Sequence, residues 1–384
     1  MQDLRLGIIG LGNMGQVHAE SVTGGKIARC RLAAVCDPDC ELLKRYSGAR
    51  PFLQSSELIK SGEVDAVLIA TPHYSHAPIG IQALEAGLHV LVEKPLCVHK
   101  ADCERLISVP LSPGQVFAVM FNQRTDPYYI RLRELIRGGE LGEIRRINWI
   151  ITNWFRTAAY YASGGWRATW AGEGGGVLLN QSPHQLDLWQ WLFGMPRKVR
   201  AFCEIGRYHD IEVEDDVTAY FEYENGTTGV FVTSTGEAPG TDRLEVAAEN
   251  GRVVIENGRF LFTKNEVPMS EFGKTSPERF SQPRTHDLEI SFCNHGGQHA
   301  EMLQDFVDSI AAGRPPIAPG QDGIHSVELA NAMLFSSFTN MTIELPMDAD
   351  AYRRLLEKKI AESRFKKPAV PVSSADDFGK SFRR

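Results

Sequence analysis

Residues 4–15 read LRLGIIGLGNMG, an apolar run that closes on three glycines, Gly10, Gly12 and Gly15. The apolar part is typical of a buried strand, and the pattern of residues 13–23 is typical of a helix. Between a strand and a helix, the first glycine permits a tight turn, the second admits a pyrophosphate to the backbone, and the third lets the helix pack closely. The free N–H groups of the helix N-terminus then face the phosphates. The stretch therefore predicts a dinucleotide-binding loop.

Asp37 closes the second predicted strand, Leu32–Cys36, beyond this loop. A carboxylate about 20 residues after the last glycine can accept hydrogen bonds from the ribose hydroxyls of NAD, and it repels the 2′-phosphate of NADP. The sequence therefore favours NAD, with NADP as the less favoured cofactor. Asp37 also begins an Asp-Pro-Asp sequence, so a role in that turn alone is the alternative.

Three more apolar runs, Ala66–Ala70, His89–Val92 and Val116–Met120, alternate with helical patterns in this part of the chain. Near-continuous apolar strands are typical of a parallel sheet that helices cover on both faces. We therefore expect an α/β fold that begins with a Rossmann domain, a doubly wound parallel sheet, over residues 1–123.

The pattern changes after Asn122, where longer alternating strands follow one another and Asn225-Gly226 marks a hairpin. These strands predict a C-terminal α+β domain, residues 124–346, with a large, mostly antiparallel open sheet. Residues 264–297 contain glycine, proline and serine and predict a long loop. Residues 347–384 are expected to form a C-terminal helix and then an extended or disordered tail.

The composition argues against several classes of protein. A net charge of −7 and a pI near 5.9 disfavour a general binder of nucleic acid or of anionic membranes. No apolar run approaches the ~18 residues of a spanning helix, and the first strand starts too near Met1 to leave room for a signal peptide. The seven cysteines are odd in number and scattered, and no second pair completes a zinc site. We expect a cytoplasmic protein without a metal.

The run Val92-Glu93-Lys94-Pro95 places a lysine at the carboxyl end of an apolar strand. Ligands of open α/β sheets lie beyond the carboxyl ends of the strands. Lys94 is therefore expected in the ligand site, with a surface lysine as the alternative. The run Thr71–His76 follows another strand and is expected to border the cofactor. His73 and His76 have the spacing of a metal pair, but no third ligand is near, so backbone or cofactor contacts or helix capping are favoured.

Residues 174–187 read GGGVLLNQSPHQLD. Side chains three and four apart share one face of a helix, so Asn180, His184 and Asp187 are predicted to point the same way. Histidine titrates near neutral pH, which suits His184 to general acid/base chemistry; a structural histidine is the alternative. A cationic Lys94 nearby would keep the imidazole neutral and stabilise a developing alkoxide.

Together, the runs GLGNMG, ATPHYSH, VEKPL and GGGVLLNQSPHQLD resemble the glucose–fructose oxidoreductase/inositol dehydrogenase (Gfo/Idh/MocA) family in order and spacing, from Leu4 to about Pro346. The resemblance implies transfer of a hydride between NAD(P) and a hydroxyl or keto carbon of a sugar, sugar derivative or cyclitol. It implies a homodimer or homotetramer formed through the C-terminal sheet. It also places the catalytic lysine at Lys94, with a cis bond to Pro95, and the catalytic histidine at His184.

The same resemblance assigns further residues. Many polyol dehydrogenases of the family carry an aspartate where this chain has Asn180, which cannot act as a base but can hydrogen-bond a sugar hydroxyl. A family Trp-Arg pair near the nicotinamide matches Trp166-Arg167, with a surface arginine as the alternative. The expected substrate-binding residues are Asn180, Asp187, Arg167 and Trp166. The expected cofactor-binding residues are Gly10, Gly12, Asn13, Met14, Gly15, Asp37, Thr71, Pro72, His76, Glu93, Lys94, Pro95 and Asn122.

Two other functions fit the same fold. A sensory regulator would bind nucleotide and sugar without turnover, but such a protein need not keep both Lys94 and His184. A glycosidase that uses bound NAD as a transient redox centre would cleave its substrate without net formation of NADH. The presence of both Lys94 and His184 favours a dehydrogenase over the regulator, whereas the sequence does not decide against the glycosidase.

Overall fold

The first of two sheets is parallel and six-stranded, in the order β3-β2-β1-β4-β5-β6. The computed structural model describes residues 3–293 and 296–367. The elements of the first part are β1 (Leu4–Ile9), α1 (Asn13–Thr23), β2 (Cys30–Cys36), α2 (Cys40–Leu43), β3 (Arg50–Phe52), α3 (Ser55–Lys60), β4 (Ala66–Ile69), α4 (His76–Glu85), β5 (His89–Val92), α5 (Lys100–Ile107) and β6 (Phe117–Val119).

The strand order reverses at β1, which has β2 on one side and β4 on the other. Ligands of such sheets bind in the crevice at this switch point, beyond the carboxyl ends of the strands. β1 leads into the glycine loop, β2 into Asp37 and β4 into Thr71. The topology therefore brings three predicted cofactor segments to one edge.

The first sheet is buried on both faces. All four side chains of β4 have no exposed surface, as their apolar sequence predicts. The core also includes Met302, Leu303 and Phe306, which come from a helix near the C-terminus. A helix from the later part of the chain, His299–Ala312, thus completes the core of the N-terminal sheet.

The second sheet has nine strands, in the order β14-β13-β12-β11-β7-β10-β9-β8-β15. Neighbouring strands are antiparallel except for the parallel pair β7 and β10. The elements are α6 (Pro127–Arg137), β7 (Ile144–Ile151), α7 (Ala158–Ala162), α8 (Val177–Asn180), α9 (Pro183–Phe193), β8 (Lys198–Ile205), β9 (Glu214–Glu222), β10 (Thr228–Ser234), β11 (Asp242–Ala248), β12 (Gly251–Glu256), β13 (Arg259–Asn265), α10 (Met269–Thr275), β14 (Thr285–Ile290), α11 (His299–Ala312), α12 (Gly323–Thr339), β15 (Ile343–Glu344) and α13 (Ala349–Glu362).

This architecture confirms the predicted fold class, a Rossmann sheet followed by an α+β region with a large, mostly antiparallel sheet. Buried and exposed side chains alternate along the second sheet, as in β9, where Phe221 is buried and Tyr220 is 41% exposed. Helices α9 and α12 pack together, and α12 lies against β8. One face of the sheet is therefore covered by helices.

One prediction about the second sheet was wrong. Residues 264–297 were expected to form a loop, but they contain α10 and β14, which pairs with β13 from Phe260↔Ile290 to Asn265↔Thr285. The sequence of β14, THDLEI, is mostly exposed and lacks an apolar alternation, so cross-strand pairing rather than burial makes it a strand. The short elements β3 and α3 were not predicted. The predicted tail falls largely on residues 368–384, which lie outside the described residues.

Candidate active site

The glycine loop packs as its sequence predicts. Gly10 has φ +93°, and a Cβ placed there would lie 2.6 Å from the carbonyl oxygen of Ala70. A Cβ on Gly15 would lie 1.9 Å from the carbonyl oxygen of Gly10, so the helix can approach the loop only without a side chain. A Cβ on Gly12 would meet nothing within 4 Å. The open space beside Gly12, at the N-terminus of α1, fits the approach of a pyrophosphate.

The carboxylate of Asp37 lies against this loop. Its Oδ2 accepts a hydrogen bond from the Leu11 amide at 2.7 Å, and its Oδ1 accepts one from the Asp39 amide at 2.9 Å. Asp37 therefore stabilises its own turn, as the alternative interpretation proposed, and also holds a negative charge at the mouth of the glycine loop. A negative charge at this place suits a residue that accepts hydrogen bonds from ribose hydroxyls and repels a 2′-phosphate.

His76 connects the segment after β4 to the segment after β5. Its Nε2 lies 2.8 Å from the carbonyl oxygen of Thr71, and its Nδ1 lies 2.9 Å from that of Pro95. The Lys94–Pro95 peptide bond is cis. Burial lowers the pKa of His76, although the two carbonyl oxygens oppose this change. Backbone contacts were among the roles favoured for His76, and its ring makes two of them. Pro72 lies between Thr71 and His76, in the segment that one of these contacts holds.

Glu93 pairs with a residue that the sequence analysis did not single out. Its Oε1 lies 2.6 Å from His18 Nε2 on α1, and both side chains are buried. Its Oε2 accepts a hydrogen bond from the Lys94 amide at 3.1 Å. Burial raises the pKa of Glu93, but the hydrogen bond and charge of His18, with nearby His299 and Lys94, bring it down to about 2. Glu93 therefore braces Lys94 against the helix that begins at the glycine loop.

Lys94 contacts the second part of the chain directly. Its Nζ donates a hydrogen bond to the backbone carbonyl oxygen of Asn180 at 2.7 Å. Burial lowers the pKa of Lys94, Glu93 and Glu173 raise it, and Arg167 lowers it. A lysine with a depressed pKa exchanges protons more readily near neutral pH, which suits a residue beside a reacting hydroxyl.

The side chain of Asn180 is held at both ends. Its Nδ2 donates to the carboxylate of Glu173, and its Oδ1 accepts from the Tyr160 hydroxyl at 3.0 Å and from Gln181 Nε2 at 3.0 Å. The predicted contact of Asn180 with a substrate hydroxyl is not tested by these bonds and stays a prediction. The side-chain amide of Asn180 also connects Glu173 to Tyr160 through hydrogen bonds.

Glu173 is the main residue that sequence reasoning missed. Its carboxylate is buried and also accepts a hydrogen bond from the Ala168 amide at 2.6 Å. Burial raises the pKa of Glu173, while Arg167, the two hydrogen bonds and Lys94 lower it. Asn180 has no carboxylate of its own, and Glu173 places one against its side-chain amide. A signal existed, because Glu173 is a lone charge in the glycine-rich run AGEGGG.

Trp166 and Arg167 lie on a segment that we call the Trp–Arg loop, residues 158–170. The guanidinium of Arg167 donates to the Tyr160 hydroxyl at 2.8 Å and stacks on the Tyr160 and Trp166 rings. The Trp166 ring packs against His73, with 5.2 Å between centroids. Burial lowers the pKa of His73 well below its ordinary value. The loop thus joins the segment after β4 to the cluster around Asn180, and Arg167 is not an ordinary surface arginine.

The three glycines at residues 174–176 allow the following helix, α8, to pack closely beside the cluster around Asn180. A Cβ on Gly176 would lie 1.9 Å from the carbonyl oxygen of Glu214, so only glycine permits this contact with β9. The Glu214 carboxylate accepts hydrogen bonds from the Gly176 and Leu178 amides at 2.8 and 3.0 Å. Burial raises the pKa of Glu214 to about 7. These contacts fix the start of α8, which ends at Asn180.

The predicted single helix through Asn180, His184 and Asp187 was wrong. Asn180 ends α8, a turn at residues 181–182 intervenes, and His184 is the second residue of α9 after Pro183. Proline has no amide hydrogen and starts a helix readily, so it separates the two helices. His184 remains four residues from the carbonyl that accepts from Lys94, and its side chain is largely buried.

Asp187 was predicted to bind substrate, and the structure corrects this assignment. Its carboxylate forms a two-point ion pair with Arg124, at 2.6 and 2.8 Å, and both side chains are 1% exposed. Arg124 also pairs with Asp322 at 2.7 Å. Both carboxylate oxygens of Asp187 therefore accept hydrogen bonds from Arg124, which lies in the segment after β6. The carboxylate of Asp187 thus ties α9 to the segment after β6.

Asn122 lies at the end of the first sheet, as expected. Its side-chain amide donates to the carbonyl oxygen of Gly297, so its predicted contact with the cofactor is not shown and stays a prediction. Within residues 3–293 and 296–367, no group of three or more His, Cys, Asp or Glu side chains could hold a metal ion. Over the same residues, no helix has both the length and the apolar character that a membrane span requires.

The arrangement fits NAD. The open space at Gly12, the exposed N-terminus of α1 and the carboxylate of Asp37 match the pyrophosphate and ribose of a dinucleotide. Lys94 lies at the end of β5 within the same crevice and reaches the cluster around Asn180. A dinucleotide held by the first sheet would thus end beside the cluster around Asn180, which comes from the second part of the chain.

Comparison with known proteins agrees with this architecture. Residues 4–121 match the model of an oxidoreductase family described as an NAD-binding Rossmann fold, and residues 129–254 match the GFO/IDH/MocA C-terminal domain. The chain is 27% identical over 332 residues to myo-inositol 2-dehydrogenase of Thermotoga maritima, covering 83% of this chain and 92% of the relative. It is 26% identical over 340 residues to inositol 2-dehydrogenase of Rhizobium meliloti, covering 87% and 96%.

Solved structures show the same fold. The WlbA dehydrogenase of Bordetella pertussis, in complex with NADH and UDP-GlcNAcA, has a TM-score of 0.76 at 24% identity, over 90% of this chain and 100% of its own. Levoglucosan dehydrogenase, in complex with NADH and levoglucosan, has a TM-score of 0.75 at 20% identity, over 90% and 100%. The prediction of family and cofactor class is confirmed: the chain belongs to the GFO/IDH/MocA family of NAD-binding oxidoreductases.

Proposed function

We propose that this protein is an NAD-dependent dehydrogenase that oxidises a hydroxyl-bearing carbon of a sugar, sugar derivative or cyclitol, or reduces the corresponding ketone. The hydrogen bond from Lys94 Nζ to the Asn180 carbonyl carries the proposal. It fixes an ammonium group between the cofactor crevice and the segment that leads to His184. The relatives named inositol 2-dehydrogenase and levoglucosan dehydrogenase support a polyol or sugar as substrate.

Two side chains handle the proton in this proposal. During oxidation, the Lys94 ammonium donates a hydrogen bond to the substrate oxygen and stabilises the alkoxide that develops there. The imidazole of His184 accepts the hydroxyl proton, and it returns that proton in the reverse reaction. Bound NAD supplies the acceptor for the hydride. Arg167 and Tyr160 orient the substrate, because their hydrogen-bonded pair lies against Asn180.

The open face of the second sheet supports a homodimer or homotetramer. Phe202, Thr218, Val232 and Ile150 form one cross-strand row over β8, β9, β10 and β7. Phe202 is 58% exposed and Ile150 is 37% exposed, and exposed apolar side chains in a row mark interaction surfaces. All seven cysteines are free, which agrees with a site of action in the cytoplasm. Sedimentation analysis of the wild type and of Phe202→Lys tests the assembly.

A panel of sugars, polyols and cyclitols tests the reaction. We expect NADH to accumulate in equal amount to a keto product with at least one compound of the panel. A regulator would bind NAD and a sugar without forming NADH. A glycosidase would cleave a glycoside while NADH fails to accumulate, so the absorbance of NADH and the analysis of products separate all three functions.

A further inference from the structure

The chain after α13 runs back over the Trp–Arg loop. We call residues 363–367 the C-terminal segment. The Ser363 hydroxyl donates to Glu212, whose other carboxylate oxygen accepts from the Trp170 amide at 2.9 Å. Glu212 therefore ties the C-terminal segment to the end of the Trp–Arg loop. Phe365 lines a small cavity together with Tyr161, which lies on that loop.

Lys367 is the last described residue, and its ammonium group meets a single turn of the loop. Nζ donates to the carbonyl oxygens of Gly164, Arg167 and Ser163, the last two at 3.4 and 3.5 Å. An ammonium has three donors, and all three find acceptors within this turn. Burial lowers the pKa of Lys367, while the charge of Glu173 raises it and the charge of Arg167 lowers it.

The turn that Lys367 holds also carries the side chain of Arg167. From there the contacts run through the Tyr160 hydroxyl at 2.8 Å to the Asn180 side chain at 3.0 Å. The residue after Arg167, Ala168, has φ +57°, a conformation that costs energy for a residue other than glycine. Such a turn needs outside contacts to persist, and the Lys367 ammonium and the Glu173 carboxylate supply them.

We propose that Lys367 is a positioning residue for substrate binding, because its ammonium holds the Ser163–Arg167 turn so that Arg167 and Tyr160 meet the substrate. The inference rests on the proposed function, in which those two side chains orient a sugar or cyclitol. The C-terminal segment is thus a part of the substrate site, although Lys367 lies 200 positions after Arg167 in sequence. The cofactor crevice is formed by other segments and does not depend on it.

Three full-length variants test this role. Lys367→Met keeps an unbranched side chain and removes the ammonium, Lys367→Arg restores a cationic donor, and Lys366→Met makes the same change at the exposed neighbouring lysine. We expect Lys367→Met to raise KM for the best substrate of the panel about 10-fold, in the range of a lost charged hydrogen bond. Its kcat should change less than about 2-fold, and NAD affinity measured by calorimetry should be unchanged. Lys367→Arg should recover most of the KM, and Lys366→Met should match the wild type.

Hydrogen exchange of the amides in residues 158–170 gives a readout that needs no turnover. Exchange should be faster in Lys367→Met than in the wild type and in Lys366→Met. An unchanged KM and exchange rate in Lys367→Met would overturn the proposal, and so would an equal effect of Lys366→Met, a failure of Lys367→Arg to recover, or a parallel loss of NAD affinity. If no compound of the panel is oxidised by the wild type, the proposed function fails, and the exchange measurement still decides whether Lys367 holds the loop.

Discussion

The side-chain amide of Asn180 donates a hydrogen bond to the buried carboxylate of Glu173. The bond places a carboxylate next to residue 180, whose own side chain is an uncharged amide. It also explains how Asn180 is oriented, since its Nδ2 faces Glu173 and its Oδ1 faces Tyr160. The backbone carbonyl of the same residue accepts from Lys94, so the charge of Glu173 acts on the lysine.

Glu173→Gln should therefore change the pH dependence of the reaction. The negative charge of Glu173 raises the pKa of Lys94, against the lowering that burial causes. Without that charge the lysine loses its proton at lower pH, and the basic limb of the kcat/KM profile should move to lower pH. Glu41→Gln, an exposed residue of α2, is the matched control and should leave the profile in place. A basic limb that does not move would show that Lys94 is not the group that titrates there.

Asn180→Asp should destabilise the protein in a pH-dependent way. The change removes the donor to Glu173 and sets two carboxylates against each other in a buried place, so one of them holds a proton and its pKa rises. A carboxylate whose pKa is higher in the folded than in the unfolded protein lowers the free energy of unfolding as the pH rises toward the folded-state pKa. The loss of stability should therefore grow as pH rises. We expect a loss of about 1–3 kcal/mol above neutral pH, the typical cost of a buried acceptor without a donor.

Thermal unfolding of Asn180→Asp and Asn180→Ala as a function of pH checks this expectation. The alanine variant removes the same donor but adds no ionisable group, so its loss should depend less on pH. Equal pH dependence in both variants would contradict the predicted carboxylate pair.

Lys94→Ala and His184→Ala should each lower turnover by about 10²–10⁴-fold, the usual contribution of a positioned acid or base. Binding of NAD should persist in both, because the glycine loop and Asp37 lie on other segments. Turnover on the best substrate and calorimetric binding of NAD measure the two effects. Lys60→Ala at the exposed end of α3 serves as the control. Near-wild-type turnover in either active-site variant would remove that residue from the proposed mechanism.

Asp37→Asn should narrow the preference for NAD over NADP. Asparagine keeps one oxygen that can accept from the Leu11 amide at the position now 2.7 Å away, and it loses the charge together with the second acceptor, which now binds the Asp39 amide. One charge–charge repulsion near a protein surface is worth roughly 1–4 kcal/mol, so we expect the affinity ratio to fall at least about 10-fold. Calorimetry with both cofactors measures the ratio. Tighter binding of NADP by the wild type would refute the role given to Asp37.

Asp187→Ala should lower stability without raising KM. The change leaves the buried Arg124 with the part-exposed Asp322 as its remaining ion-pair partner, and loss of one partner of a buried ion pair costs up to about 3–5 kcal/mol. The double variant Arg124→Met/Asp187→Leu should recover part of this loss, because neither charge is then buried alone. Urea unfolding measures the stability, and steady-state kinetics measure KM. A large increase in KM with unchanged stability would restore Asp187 to the substrate site.

Much of the cofactor site was predictable because its information is local. The loop at Gly10, Gly12 and Gly15, the apolar run before Lys94 and the placement of Asp37 each lie in short stretches whose geometry follows from the backbone. The polar cluster was less predictable. Glu173 stands out as a lone charge in the glycine-rich run, but its partners Asn180 and Ala168 follow from the folding of the loop, where Ala168 has a positive φ.

The amino-acid sequence by itself determined the doubly wound parallel sheet, the alternating strands of the second sheet and the two segments that carry Lys94 and His184. Periodicity, glycine spacing and proline act through neighbouring residues and can therefore be recognised in the chain. Only the tertiary structure decided that Asp187 pairs with Arg124, that Glu93 pairs with His18 and that Lys367 reaches the Trp–Arg loop. Those pairs join residues far apart in sequence, and their partners follow from packing between elements, which no local pattern specifies.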